Sequence, residues 1–246
     1  MNILARIARA LVPGTRQPAP PRVLFAISRG PGVTLDSMVP QQCRIPIMYE
    51  ANGEAAPDAP LICANPRDEY YANPAGRAGA INFVQAIKRQ RPVATVILYG
   101  SPATQWGRWD NPQQRGYARA EVSAHVYVAG ETGCAWGPSM YTMDANDRGR
   151  FDKHRANIEL ITYAIERWRE TYPNATPPSV FPFVSPFVAG RCEPGTLVQV
   201  KSDETVRLLD SLLAKGWTPV VWAHAYSDDA MLQIRNAIYP LTEYMR

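Results

Sequence analysis

The sequence predicts an α/β protein on a parallel sheet, read as a (β/α) barrel of TIM type, irregular or incomplete. Three observations predict it. Apolar, β-branched runs alternate with amphipathic helical segments from residue 22 to the C-terminus, and that alternation builds parallel sheets covered by helices. The length of 246 residues suits a one-domain barrel. The 23 prolines exceed the ordinary rate of about 5% of residues and call for many rigid connections. A doubly wound open sheet is the alternative that the same alternation permits.

The elements follow in order. Residues 22–27 (Arg-Val-Leu-Phe-Ala-Ile) read as a buried strand, ended by the breaker loop Ser28-Arg-Gly-Pro-Gly32. Arg44 to Tyr49 reads as a strand that Pro46 places at an edge or bulge, and Leu61 to Ala64 as a short apolar strand. Asn73-Pro74 is a helix start, with Asn as N-cap and Pro at the first helical position, and the helix runs to about Gln90. Val93 to Tyr99 is the clearest strand, closed by Gly100-Ser-Pro102. Gly116 to Ala129 fits a helix better than a strand, because strands and helices alternate around it.

Pro138-Ser-Met-Tyr-Thr-Met-Asp144 reads as a strand ending in an acid. The helix from Lys153 to Tyr172 buries Ile158, Ile161, Ile165 and Trp168, and Pro173 stops it. Val180 to Val184 is a strand carrying a proline, and Ser202 caps a helix that ends at Gly216 with Val206, Leu209 and Leu213 inward. Val220 to Ala225 is the last strand, and Asp228 opens a final helix to Tyr239.

Residues 1–21 are set apart from the domain expected over 22–246. Ile3, Leu4, Ile7 and Leu11 share one helical face opposite Arg6 and Arg9, and residues 13–21 form a stiff Pro-rich tether. The stretch lacks the uninterrupted apolar core and cleavage site of a secretory signal, so the compartment stays open. Residues 2–12 are expected to dock on protein, a partner or their own domain, since two arginines are a weak attraction for lipid.

Composition narrows the chemistry. An apolar fraction of 46% and a charged fraction of 20% are those of an ordinary folded chain. A net charge of +4 without a dense basic run argues against nucleic acid, and no run reaches the ~20 apolar residues of a membrane span. Cys43, Cys63, Cys134 and Cys192 are scattered and read as reduced and buried. P-loop, G-x-G-x-x-G, G-x-S-x-G and H-E-x-x-H motifs are missing. No metal site and no organic cofactor are expected.

What remains is carboxylates, aromatics and one or two histidines. Chemistry in parallel α/β folds sits at the carboxyl ends of the strands, which selects Asp144 as acid or nucleophile. Its bland alternative is a carboxylate bonded to its own loop, with Asp147 or Asp152 capping the next helix. A glycosidic hydrolysis needs a second acid. Glu50 follows a strand and Asp110 lies in an aromatic loop, so both are candidates; Glu131 follows a helix and Asp228 reads as an N-cap. Trp222, His224 and Tyr226 alternate on one strand and share a face, either as a binding floor or as packed core. Tyr99, Trp106, Trp109, Trp136 and Tyr141 cluster around two strand ends. Aromatic faces there can stack on sugar rings or fill a loop minicore. His125 is expected to pack or cap, and His154 to be solvated.

The stretches Tyr141-Thr-Met-Asp144, residues 180–186 (Val-Phe-Pro-Phe-Val-Ser-Pro) and Val220-Val-Trp222-Ala-His224 resemble the middle and late strands of glycoside-hydrolase-like barrels. The resemblance is one of pattern over about residues 93–240; the acid pair D-x-E is missing, with Asn146 two places after Asp144. It implies a hydrolase acting on glycosidic bonds through Asp144 with Glu50 or Asp110. Tyr99, Trp106, Trp109, Tyr141, Trp222, His224 and Tyr226 would contact a carbohydrate ligand. The alternative is a non-catalytic barrel, structural, attaching or carbohydrate-binding, docked in a larger assembly through its N-terminal helix.

Overall fold

The computed structural model describes residues 22–29, 39–50, 55–66, 71, 73–102, 111–140, 151–185, 187, 202–225, 228–239 and 241. Seven strands and five α-helices alternate among them: β1 (Leu24–Arg29), β2 (Ile47–Tyr49), β3 (Leu61–Asn65), α1 (Pro74–Gln90), β4 (Thr95–Tyr99), α2 (Arg115–Thr132), β5 (Ala135–Gly137), α3 (Phe151–Thr171), β6 (Phe183–Val184), α4 (Ser202–Ala214), β7 (Val220–Ala225) and α5 (Asp228–Ile238). Every strand pair is parallel. One sheet has the order β1-β7-β6 and the other β2-β3-β4-β5. The protein is thus mixed α/β with parallel sheets, and among the described residues it is not a complete eight-stranded barrel.

Backbone hydrogen bonds also run between the sheets at both margins. Ile45 N donates to Phe25 O at 2.8 Å, and Phe25 bridges Arg44 in parallel. At the other margin Phe181 N donates to Trp136 O and Phe183 N to Pro138 O, with parallel bridges Trp136–Val180 and Ser139–Phe183. Each linking segment contains a proline. Pro46 and Pro182 lack an N–H, so pairing is thinned there, and β2 and β6 are shorter than the runs of apolar residues that contain them.

Side-chain alternation divides the core into two layers. Leu24, Ala26, Ile45, Cys63, Ile97, Ala135, Phe183 and Val220 form one cluster that also packs Ile47, Leu61, Tyr99, Phe181 and Trp222. Residues one place out of step, such as Phe25, Ile62, Val96, Leu98 and Val221, belong to the larger cluster with the helices. A period of two sends neighbours to opposite faces, so one sheet face is covered by helices. The other gathers residues from all seven strands. Gly137 is required on that second face: a Cβ there would lie 2.8 Å from Ile97 Cγ2 and 3.0 Å from the Phe183 ring.

The helices follow from local chemistry. Asn73 caps α1, its side chain accepting from Ala75 N at 3.0 Å, a contact worth about 1 kcal/mol. Ala80, Phe83, Val84 and Ile87 then recur at helical spacing and are buried. α2 confirms the helical reading of 116–129 and ends at Gly133, whose φ of +60° suits glycine. Lys88 Nζ donates to the carbonyls of Thr132 (2.6 Å) and Gly133 (3.0 Å), satisfying acceptors left over at that terminus. On α3, Ile158, Ile161 and Trp168 are buried as expected, with Ile165 half-buried.

A strand that the sequence reading did not include lies at Ala135–Gly137, with Trp136 at its centre; of the strand expected over 138–144, Ser139 bridges Phe183 in parallel, and residues 141–150 are outside the described set. α4 begins at Ser202, the residue read as its N-terminal signal. That helix buries Leu208, Leu209 and Leu212, while Val206 and Leu213 are half-buried. Cys43, Cys63 and Cys134 are buried, as read from their scattering; Cys192 lies outside the described residues, as do residues 1–21. No helix among the described residues is long and apolar enough to cross a membrane.

Candidate functional site

Parallel pairing brings the carboxyl ends of the strands to one side, and the inner face changes character there. Below, it is apolar: Leu24, Ala26, Ile45, Cys63, Ile97, Ala135 and Val220 are buried. One step further along, the alternation places Tyr49 after Ile47, Asn65 after Cys63, Tyr99 after Ile97 and Ser185 after Phe183. Tyr49 is paired with Asn65 in the register of β2 and β3, and Tyr99 with Gly137 in that of β4 and β5. Tyr49, Asn65 and Tyr99 are each half-buried. A polar, aromatic rim thus stands on an apolar floor, the composition of a small-molecule site.

Two of the sequence-predicted residues lie on this face. Tyr99 stands edge-on to Phe183, with ring centroids 5.2 Å apart at 86°. Trp222 packs on the same inner cluster and is paired with Ala26, a small neighbour that leaves the indole room. His224 falls two residues further along β7, paired with Ser28. Glu50 immediately follows β2 and is half-buried, but it is out of step with the alternation that carries Ile45, Ile47 and Tyr49. Asp144, Asp110, Trp106, Trp109, Tyr141 and Tyr226 lie outside the described residues.

Tyr49, Asn65 and Ser185 were not singled out from the sequence. Their signal was the last same-parity position of each strand, which is readable only once the inward parity is known. Ser185 is tied down locally, its hydroxyl accepting from Phe187 N at 3.2 Å.

Beside the rim, on the helix side of β4, is a buried polar group. Ser101 and His125 are both fully buried, and Ser101 Oγ lies 3.0 Å from His125 Nδ1. Tyr71, also fully buried, packs on the imidazole with centroids 4.4 Å apart. Burial holds the ring neutral and pushes its pKa down from 6.5 to about 3. His125 packs, as expected from the sequence, and does so with a polar partner. Among the described residues no group of His, Cys, Asp and Glu could hold a metal ion.

No family model matches the chain, and no curated protein matches it. Among solved structures it is similar to a chitinase-like agglutinin from Robinia pseudoacacia, at 12% identity and a TM-score of 0.40 over 58% of this chain and 46% of that one. It is also similar to a glycoside hydrolase family 6 enzyme from Coprinopsis cinerea, at 14% identity and a TM-score of 0.42 over 70% of this chain and 53% of that one. The chain therefore spans about half the length of each. Overlaps this partial carry no functional argument.

Proposed function

We propose that the protein is a carbohydrate-active hydrolase whose site lies at the carboxyl ends of the strands. The observation that carries this reading is the passage of the inner face from an apolar floor to a rim of Tyr49, Asn65 and Tyr99, with Trp222 packed on the same face. Sugars present hydroxyls at their edges and C–H faces above and below the ring. Phenol and amide groups match the first, and an indole face the second. In this reading the two sheets are arcs of one irregular seven-stranded (β/α) barrel. The backbone bonds at both margins and the inner cluster fed by all seven strands support it.

The proposed chemistry uses Asp144 as general acid or nucleophile, with Glu50 or Asp110 as its partner. A separation of about 5–5.5 Å would make the reaction retaining and about 6.5–9.5 Å inverting. Trp106, Trp109 and Tyr141 would extend the aromatic contacts begun by Tyr99 and Trp222, with His224 and Tyr226 donating hydrogen bonds. No cofactor enters the mechanism. Residues 2–12 remain the proposed contact to a protein partner.

The test is glycan-array binding by the full chain beside Asp144→Asn, with product analysis of every bound glycan. Cleavage by the wild type and binding without cleavage by the variant is the expected result. Binding without cleavage by both would reassign the protein as a lectin-like barrel. Absence of any binding would overturn the carbohydrate reading.

A further inference from the structure

We propose that His125 is a positioning residue that clamps together the stems of two adjacent loops at the rim, those following β3 and β4. The inference rests on the reading that ligand binds at the rim, because its consequence is the placement of Asn65 and Tyr99, the last residues of those strands.

The geometry begins at Gly100. Tyr99 faces the inner cluster through its contact with Phe183, so a regular strand would send Ser101 to that face as well. Gly100 instead adopts φ +72°, a conformation glycine reaches without strain. Its N–H donates to Gly137 O at 2.9 Å, fixing the turn to β5. Past it, Ser101 delivers its hydroxyl to the opposite side, within 3.0 Å of His125 Nδ1 on α2. The first residues after Tyr99 are thereby tied to a helix.

The other face of the imidazole serves the neighbouring loop. Tyr71 lies between β3 and α1 and packs on His125 at 4.4 Å with the planes tilted by 53°. Its backbone is held separately, Arg77 Nη1 donating to Tyr71 O at 2.8 Å. One side chain thus joins the connections that follow the paired strands β3 and β4. All three residues are fully buried, where a lost hydrogen bond leaves an unsolvated polar atom and the other contact cannot be replaced by water.

The two contacts can be separated. Ser101→Ala removes the hydrogen bond and keeps the ring contact. His125→Asn keeps a hydrogen-bonding atom near the place of Nδ1 and removes the ring from Tyr71. Native-state amide exchange on the full chain reads both. Ser101→Ala should accelerate exchange at the amides of residues 100 and 101 by roughly tenfold, leaving Tyr71 and Asn73 near wild type. His125→Asn should show the reverse pattern. Equal acceleration throughout α1 and α2 in either variant would make His125 ordinary core packing, and unchanged exchange at both stems would equally overturn the clamp.

Binding of cellohexaose, chitohexaose and maltohexaose is measured in parallel. Where the wild type binds one of them, each variant should weaken that affinity. Binding by none would refute the carbohydrate reading while the exchange pattern still decides the clamp.

Discussion

Acidification is expected to weaken the fold through His125, by an amount that the site geometry sets. The imidazole is fully buried between Ser101 and Tyr71, and burial lowers its pKa from 6.5 to about 3. The folded state therefore resists protonation that the unfolded chain accepts. Stability from this group is fully present above pH 6.5 and is lost as pH falls from there towards 3. One unit of separation corresponds to about 1.4 kcal/mol, so between pH 7 and 4.5 the loss should be about 2–3 kcal/mol. That is a large part of a typical total of about 5–15 kcal/mol.

The assay is urea unfolding of the wild type and His125→Asn at pH 7, 6, 5 and 4.5 (roughly the range over which the linkage acts). The variant starts less stable, but its curve should fall less steeply, so that the gap closes by about 2–3 kcal/mol at the acid end. Subtracting the two curves cancels the carboxylates common to both proteins. Parallel curves would refute the reasoning. So would an NMR titration showing all three histidines, His125, His154 and His224, ionising near their ordinary value.

Two further substitutions test the framework around the rim. Lys88→Met should cost about 1–2 kcal/mol in urea unfolding, because the carbonyls of Thr132 and Gly133 lose a charged donor at a helix terminus; an unchanged midpoint would show that water replaces the ammonium. Gly137→Ala should cost about 1–3 kcal/mol and alter the near-ultraviolet signal of Tyr99 and Phe183, since its methyl would meet Ile97 and Phe183. A variant as stable as wild type would mean that the inner face yields more readily than its packing implies.

The helices and long strands were legible because their signals are local. Asn73-Pro74 announces α1 within two residues, and the β-branched run before Gly100 announces β4. β5 was not, since Ala135-Trp-Gly137 is too short to show a period and owes its pairing to β4 and to Phe181. Pro46 and Pro182 were read as interruptions, and both proved to lie where pairing passes between sheets. The sequence left the Trp222 face open as binding floor or packed core, and the structure packs the indole, half-buried, on the inner cluster. Asn65 and Tyr49 carried no signal of their own, because only the register of neighbouring strands makes them a row. Nor could spacing reveal the Ser101–His125 pair, whose members lie 24 residues apart and meet through tertiary packing.

The pairing of β1 with β7 has a consequence for how the chain is made. The sheet β2-β3-β4-β5 joins strands that follow one another in sequence, so it can assemble unit by unit as the ribosome delivers them. β1, the first of the described strands, shares six paired positions with β7, the last of them, and closing so long a loop is entropically costly. During synthesis that edge of β1 stays without this partner until β7 has been made. Over that interval its apolar Leu24-Phe-Ala-Ile27 segment is an open template for other chains. Yield in a producing cell should depend on chaperone shielding of the nascent N-terminal strand more than on the stability of the finished fold.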